Sequence, residues 1–206
     1  METNRSKKTQ AFFYILCIFC IAGLVELALL FNPAFAGPNS EAGCAVDMGI
    51  YTHNYSDEIT KNHIEPSIAA ESGQTVFAMI VAQNVNDLDT YKIEALFDPT
   101  RLKFIQGFEE NRFEGINNIL KKFYGATLGF QAVRQRPGKV IIANTLVDNN
   151  RNEAPEGSGV LAILEFETLD ANPDNFIWLD SVHFVDSDGN NDAVTKRLRG
   201  AVNGSF

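Results

Sequence analysis

The chain has little of what most site chemistries require: three cysteines, three histidines and one tryptophan in 206 residues. Cys17 and Cys20 fall in an N-terminal apolar stretch, so its removal leaves Cys44 without an intramolecular partner and excludes a disulfide framework. His53 and His63 are ten residues apart, and His183 alternates with apolar Val182 and Phe184; the histidines make no zinc motif and read as surface residues. Ser158 lies between Gly157 and Gly159, but a nucleophile elbow needs glycines two before and two after the serine, where Glu156 and Val160 stand. Carboxylates are plentiful, yet the separation that makes two of them a glycosidase pair is not a property of sequence. The chain reads as non-catalytic. It has no internal repeat, no long helical pattern and no second domain.

Basic charge is also short. The net charge is −9, from 17 Lys+Arg and 26 Asp+Glu. Only one long apolar run exists, Ala11 to Phe31, preceded by Arg5, Lys7 and Lys8 and followed by Ala34-Phe35-Ala36 before Gly37. That is the layout of a signal peptide over residues 1–36 with an A-x-A processing site. An uncleaved membrane anchor is the rival, since about 20 residues span a bilayer; Glu26 inside the run counts against it. Removal of 1–36 takes Arg5, Lys7, Lys8, Glu2 and Glu26, leaving 14 basic against 24 acidic residues and a net charge of −10. Such a surface repels phosphate backbones and anionic lipid, so nucleic acid is excluded as a partner and a membrane enters only through an uncleaved leader. The expected location is secreted, extracellular or periplasmic. For Cys44 three readings stand: a buried idle thiol, an intermolecular disulfide, or a lipidated N-terminus, the last opposed by the polar residues before it.

What is present is strand pattern. Tyr91, Ile93, Ala95 and Phe97 alternate with Thr90, Lys92, Glu94 and Leu96, and Asp98-Pro99 stops the strand because Pro99 cannot donate to a ladder. Thr75 to Val85 is apolar on both faces and is expected to be covered on both. Lys139 to Val147 is a strand by its β-branched content, launched from the turn Arg136-Pro137-Gly138. In Gly159 to Leu169, Val160, Ala162, Leu164 and Phe166 share one face, with Leu161, Ile163, Glu165 and Glu167 opposite. In Asn175 to Asn191 the inward set slips phase between Leu179 and Val182, which predicts a β-bulge at Asp180-Ser181. One more strand is expected near Ile64 to Ala70. Phe108 to Gly125, with Phe113, Ile116, Ile119, Leu120 and Phe123, reads as a short amphipathic helix or a loop with buried anchors. The organisation that follows is all-β: a single jelly-roll sandwich of about nine strands over 63–195, a polar segment at 37–62 and a short basic tail at 196–206, with Lys196, Arg197 and Arg199.

Three pieces in this order, DLDTYKIEALFDPTRLKFIQG from Asp87, GSGVLAILEFETL from Gly157 and LDSVHFVDSDGNN from Leu179, resemble the bacterial cohesin domain of cellulosome scaffoldins. The resemblance implies a nine-stranded jelly roll and a non-catalytic role in docking a calcium-loaded dockerin on another extracellular protein, in the context of polysaccharide degradation. Many cohesins that bind enzyme-borne dockerins carry Asn and, two residues on, Asp where this chain has Thr90 and Lys92. That departure puts this dockerin class in question.

Thr90, Lys92, Glu94, Leu96, Leu161, Ile163 and Glu165 form the expected partner-binding face, an apolar centre ringed by charge unless a loop covers it. Asp186, Asp188 and Asn190 suit either a calcium loop, with oxygens at alternate positions, or a plain turn. Glycan binding is the alternative function. It needs exposed planar aromatics, for which Trp178 and the weakly placed Tyr51, Tyr55 and Tyr124 are the candidates. A purely structural envelope protein is a third.

Overall fold

The computed structural model describes residues 37–49, 63–110, 115–122, 125–147, 154–170 and 175–204. The expected leader lies outside the described residues, as do His53, Tyr51, Tyr55, Phe113, Phe123 and Tyr124. Among the described residues run β1 (Gly43–Asp47), β2 (Ser67–Ala70), β3 (Thr75–Val85), β4 (Leu88–Phe97), β5 (Leu102–Phe108), β6 (Ala126–Thr127), β7 (Gln131–Arg136), β8 (Lys139–Val147), β9 (Gly157–Thr168), β10 (Asn175–Asp186), β11 (Asn191–Ala193), β12 (Lys196–Leu198) and β13 (Gly200–Gly204). A 3₁₀ turn spans Ile119–Lys121.

The strands form two sheets. The first has the order β12-β1-β3-β9-β5. The second has the order β2-β13-β10-β4-β8-β6, with β7 also on β8 and β11 on β10. β1 pairs with β12, and β2 with β13, in parallel. The expected sandwich is therefore present, with nine strands of five residues or more and four shorter pieces.

Two boundaries differ from expectation. The polar segment expected at 37–62 contains β1, whose five residues are all buried. The stretch read as a basic tail contains β12 and β13, and the chain passes from one sheet to the other at Arg199-Gly200. Lys196 and Arg197 belong to β12, which pairs through its backbone and leaves their side chains exposed, so charge there did not prevent a strand.

Between the sheets lie Tyr91, Ile93, Ala95 and Phe97 of β4, Ile177, Leu179, Val182 and Phe184 of β10, and Val140 and Ile142 of β8. Facing them are Val76, Ala78, Ile80 and Ala82 of β3, Leu164 and Phe166 of β9, and Cys44 and Val46 of β1. Phe166 meets Phe97 edge-on at 5.1 Å and Phe104 at 5.7 Å between ring centroids. The predicted bulge is present: the β10–β4 register shifts between Leu179 and Ser181, which keeps all four inward residues of β10 inside. β4 ends at Phe97, as Asp98-Pro99 requires. The β7–β8 turn needs glycine at Gly138, where φ is +77°.

A second bulge was not expected. Ile80 pairs with Ala162, but Val81 pairs with Val160, so Leu161 is left out of the ladder. This turns Leu161 into the inter-sheet core and sends Val160 to the other face. There Val160 and Ile163 join Met79, Val81 and Ile116, with Ile64, Phe77 and Phe108 packed against them. Of the stretch after β5, residues 115–122 supply the buried anchor Ile116, laid over the outside of the first sheet, and a 3₁₀ turn.

Candidate functional site

The two outer faces of the sandwich differ. That of the first sheet is capped by Ile116 and its neighbours. That of the second sheet, across β10, β4, β8 and β7, carries side chains that alternate with the core set and remain at least partly exposed. Its rows follow from the register. Trp178 lies beside Leu96, which lies beside Lys139. Ser181, Glu94, Ile141 and Val133 form the next row, and His183, Lys92, Ala143 and Gln131 the one after. Val185, Thr90 and Thr145 follow.

Chemically this face is an apolar band crossed by charge. Val133 is 54% exposed and Trp178 40%, and Lys92 is exposed. Lys139 Nζ donates to Glu94 Oε2 at 2.6 Å, and that hydrogen bond, with the nearby Lys92 charge, holds the Glu94 carboxyl below its usual range. With Glu94 hydrogen-bonded to Lys139, Lys92 is an exposed cation on this face, as is Arg136 opposite Lys139. His183 Nδ1 is 3.0 Å from Asn191 Oδ1. At one corner Trp178 borders a groove shared with Arg197, Leu198 and Arg199. The Arg199 guanidinium lies 4.0 Å from the centre of the Phe176 ring.

Of the seven residues expected to form one face, the structure brings together Thr90, Lys92, Glu94 and Leu96 on β4. The other three are elsewhere, because β9 belongs to the opposite sheet. Leu161 is core, Ile163 is buried under the Ile116 loop, and Glu165 accepts a hydrogen bond from Gln106 at 2.7 Å on the far side. The expected single patch spanning β4 and β9 is thus corrected. Val133 and Ile141 were missed: β7 has no clear alternation, and only cross-strand register puts its one exposed valine beside Ile141 and Glu94.

The Asp186 loop is a closed turn. Asp186 Oδ1 accepts from Asn190 N and Oδ2 from Asn190 Nδ2, each at 2.7 Å, while Gly189 N donates to the Asp186 carbonyl. The Asp186 carboxylate therefore accepts from the turn's own donors while Asp188 is exposed, the arrangement of a plain turn. Among the described residues no three His, Cys, Asp or Glu side chains are grouped to hold a metal ion. Ser158 is buried and accepts from Asn84 N at 3.1 Å. Cys44 is fully buried, and desolvation pushes its thiol well above the usual range. An enclosed neutral thiol fits the idle reading and leaves no route to a lipid or an intermolecular disulfide in the folded chain.

One further polar cluster ties the capping loop down. Glu109 accepts from Lys121 at 2.9 Å, from Asn144 at 2.8 Å and from Thr127. Burial works to raise its pKa, but these donors more than offset that and hold it below the usual value.

No family model matches the sequence, and no curated protein matches it. Solved structures do match the fold. The sixth cohesin of scaffoldin B from Acetivibrio cellulolyticus, solved with a Cel5 dockerin mutant, is 16% identical over 80% of this chain and 99% of that one, with a TM-score of 0.53. A type II cohesin domain from the cellulosome of the same organism is 14% identical over 79% and 95%, at 0.55. A non-cellulosomal cohesin from the archaeon Archaeoglobus fulgidus is 12% identical over 80% and 91%, at 0.53. The fold is cohesin-like.

Proposed function

We propose that this cohesin-like sandwich is a non-catalytic extracellular module that docks a dockerin-type protein on the open face of β10, β4, β8 and β7. The observation that carries the reading is the asymmetry of the two faces. One sheet is sealed on its outside by Ile116, Phe108 and Ile64. The other keeps Leu96, Ile141, Val133 and Trp178 around an exposed Lys92, the anatomy of a protein-binding surface. One similar structure was solved with a dockerin and another is described as non-cellulosomal, so the fold is compatible with either setting. Lys92 favours a partner with an acidic contact at that point, unlike a dockerin that expects a carboxylate there. Secretion rests on the leader, and a role in polysaccharide degradation rests on the partner.

The test is titration of the purified chain with calcium-loaded dockerin modules encoded in the same genome. Binding that is lost on Val133→Asp and weakened or redirected by Lys92→Asp supports the reading. Binding unchanged by both substitutions removes this face, and no binding to any dockerin removes the partner class.

A glycan-binding reading is favoured by one observation, the exposed Trp178 beside Arg197, Leu198 and Arg199. A planar ring stacks on a sugar face, and guanidinium groups hold acidic sugars. Affinity electrophoresis on neutral and uronic-acid polysaccharides, with Trp178→Ala as control, separates it from docking.

A further inference from the structure

Asp192 sits on β11 with 9% of its surface exposed. Its two oxygens accept from the first described residues of the chain: Gly37 N donates to Oδ1 and Asn39 N to Oδ2, each at 2.9 Å. Asn39 is itself buried and fixed, since its Oδ1 accepts from Asn86 N at 2.9 Å and its carbonyl from Ala42 N. No Lys, Arg or His pairs with Asp192 among the described residues. A carboxylate this enclosed, held only by neutral N–H groups, lacks the countercharge that normally compensates its desolvation.

The position of the donor is specific. A Cβ at 37 would lie 2.6 Å from Asp192 Oδ1 and closer still to Oδ2, so any larger residue there would have to displace the carboxylate. Independently, the A-x-A signal ends at Ala36, which makes Ala36-Gly37 the scissile bond. Hydrolysis of that bond by a signal-type peptidase adds one water, leaves a carboxylate on Ala36 and frees the Gly37 nitrogen, which takes up a proton to become an ammonium. That nitrogen is the atom that already faces Asp192.

We infer that Asp192 is the receptor for the processed N-terminus: removal of the leader turns a neutral N–H···O contact into a buried ion pair between the Gly37 ammonium and Asp192. Processing and folding are then coupled. The mature chain gains a contact that the precursor cannot make, and the gain falls on the segment leading into β1. A side chain at 37 or a cut one residue away abolishes it, which accounts for a glycine placed against a carboxylate at this point.

The inference rests on the leader reading, and the experiment separates the two. The full 206-residue chain is produced in a secreting bacterium and the exported product weighed intact. A chain starting at Gly37 is expected; any other start overturns the inference. The melting temperature of that product is then compared with those of its Nα-acetylated form and of a form retaining Ala36. Both changes keep Asp192 and abolish the ammonium at Gly37, and both should lower Tm by about 2–4 °C, the shift that a pair worth about 1 kcal/mol gives in a domain of this size. In Asp192→Asn, acetylation should have no further effect. An unchanged Tm in the wild type, or an equal fall in Asp192→Asn, overturns the pairing. Should Asp192→Asn fail to fold, the two wild-type comparisons decide the matter alone.

Discussion

The hydroxyl of Tyr91 on β4 donates to the main-chain carbonyl of Leu161 on β9, across the core from one sheet to the other. The bulge explains why that carbonyl is available: Leu161 is out of register with β3, and its oxygen turns to side chains instead. Asn118 Nδ2 donates to the same oxygen at 2.6 Å, while Asn118 Oδ1 caps the 3₁₀ turn by accepting from Leu120 N. One buried bulge thus fastens both sheets and the covering loop. Tyr91→Phe should lower unfolding free energy by about 1–2 kcal/mol in urea titrations. A wild-type midpoint would mean that Asn118 alone satisfies the carbonyl.

Leu161 and Val133 should respond to substitution in opposite ways. Leu161→Ala opens a core cavity and should cost about 2–5 kcal/mol. Val133→Ala is on the open face and should stay within about 0.5 kcal/mol. Denaturant unfolding of both variants checks the burial. A small loss at Leu161 would return it to the surface and revive a patch on β9.

Acid should loosen the loop that Glu109 anchors. Its folded pKa is depressed, so the stability it supplies is present above the unfolded carboxylate value of about 4.3 and is lost as pH falls through the folded value. Melting curves taken from pH 7 down to pH 3 should fall more gently for Glu109→Gln than for wild type. Parallel curves would show that Lys121 and Asn144 do not discriminate the charged form.

Calcium should not act at Asp186. Millimolar calcium is expected to leave Tm unchanged, whereas Asp186→Ala, which removes the acceptors of both Asn190 bonds, should lower stability by about 1–3 kcal/mol. A calcium-dependent rise in Tm that Asp186→Ala abolishes would reinstate the ion site.

Where polar residues mark the phase of a strand, the sequence was enough. Lys92 and Glu94 expose the alternation of β4, and Asp180 and Ser181 stand at the break where β10 bulges. The Leu161 bulge left no such mark, since Val160 to Leu164 is apolar throughout and any phase reads equally well. β1 was hidden for a related reason: GCAVD is short and buried on both faces, so it lacks the period that identifies a strand. The candidate face was half legible. Its β4 residues follow from alternation, but joining them to β8 and β7 rather than β9 required knowledge of which strands share a sheet.

The parallel pairing of β1 with β12 sets Gly43 opposite Lys196, 153 residues apart in the chain. β3 closes one edge of β1 early, but its other edge stays open until β12 has arrived. Ring closure over such a span makes assembly slow, on the millisecond-to-second scale of sheet proteins dominated by distant contacts. A chain emerging N-terminus first therefore holds an unpaired apolar edge on β1 until β12 has been made, and the pairing of β12 is the event that ends the exposure of that edge to aggregation.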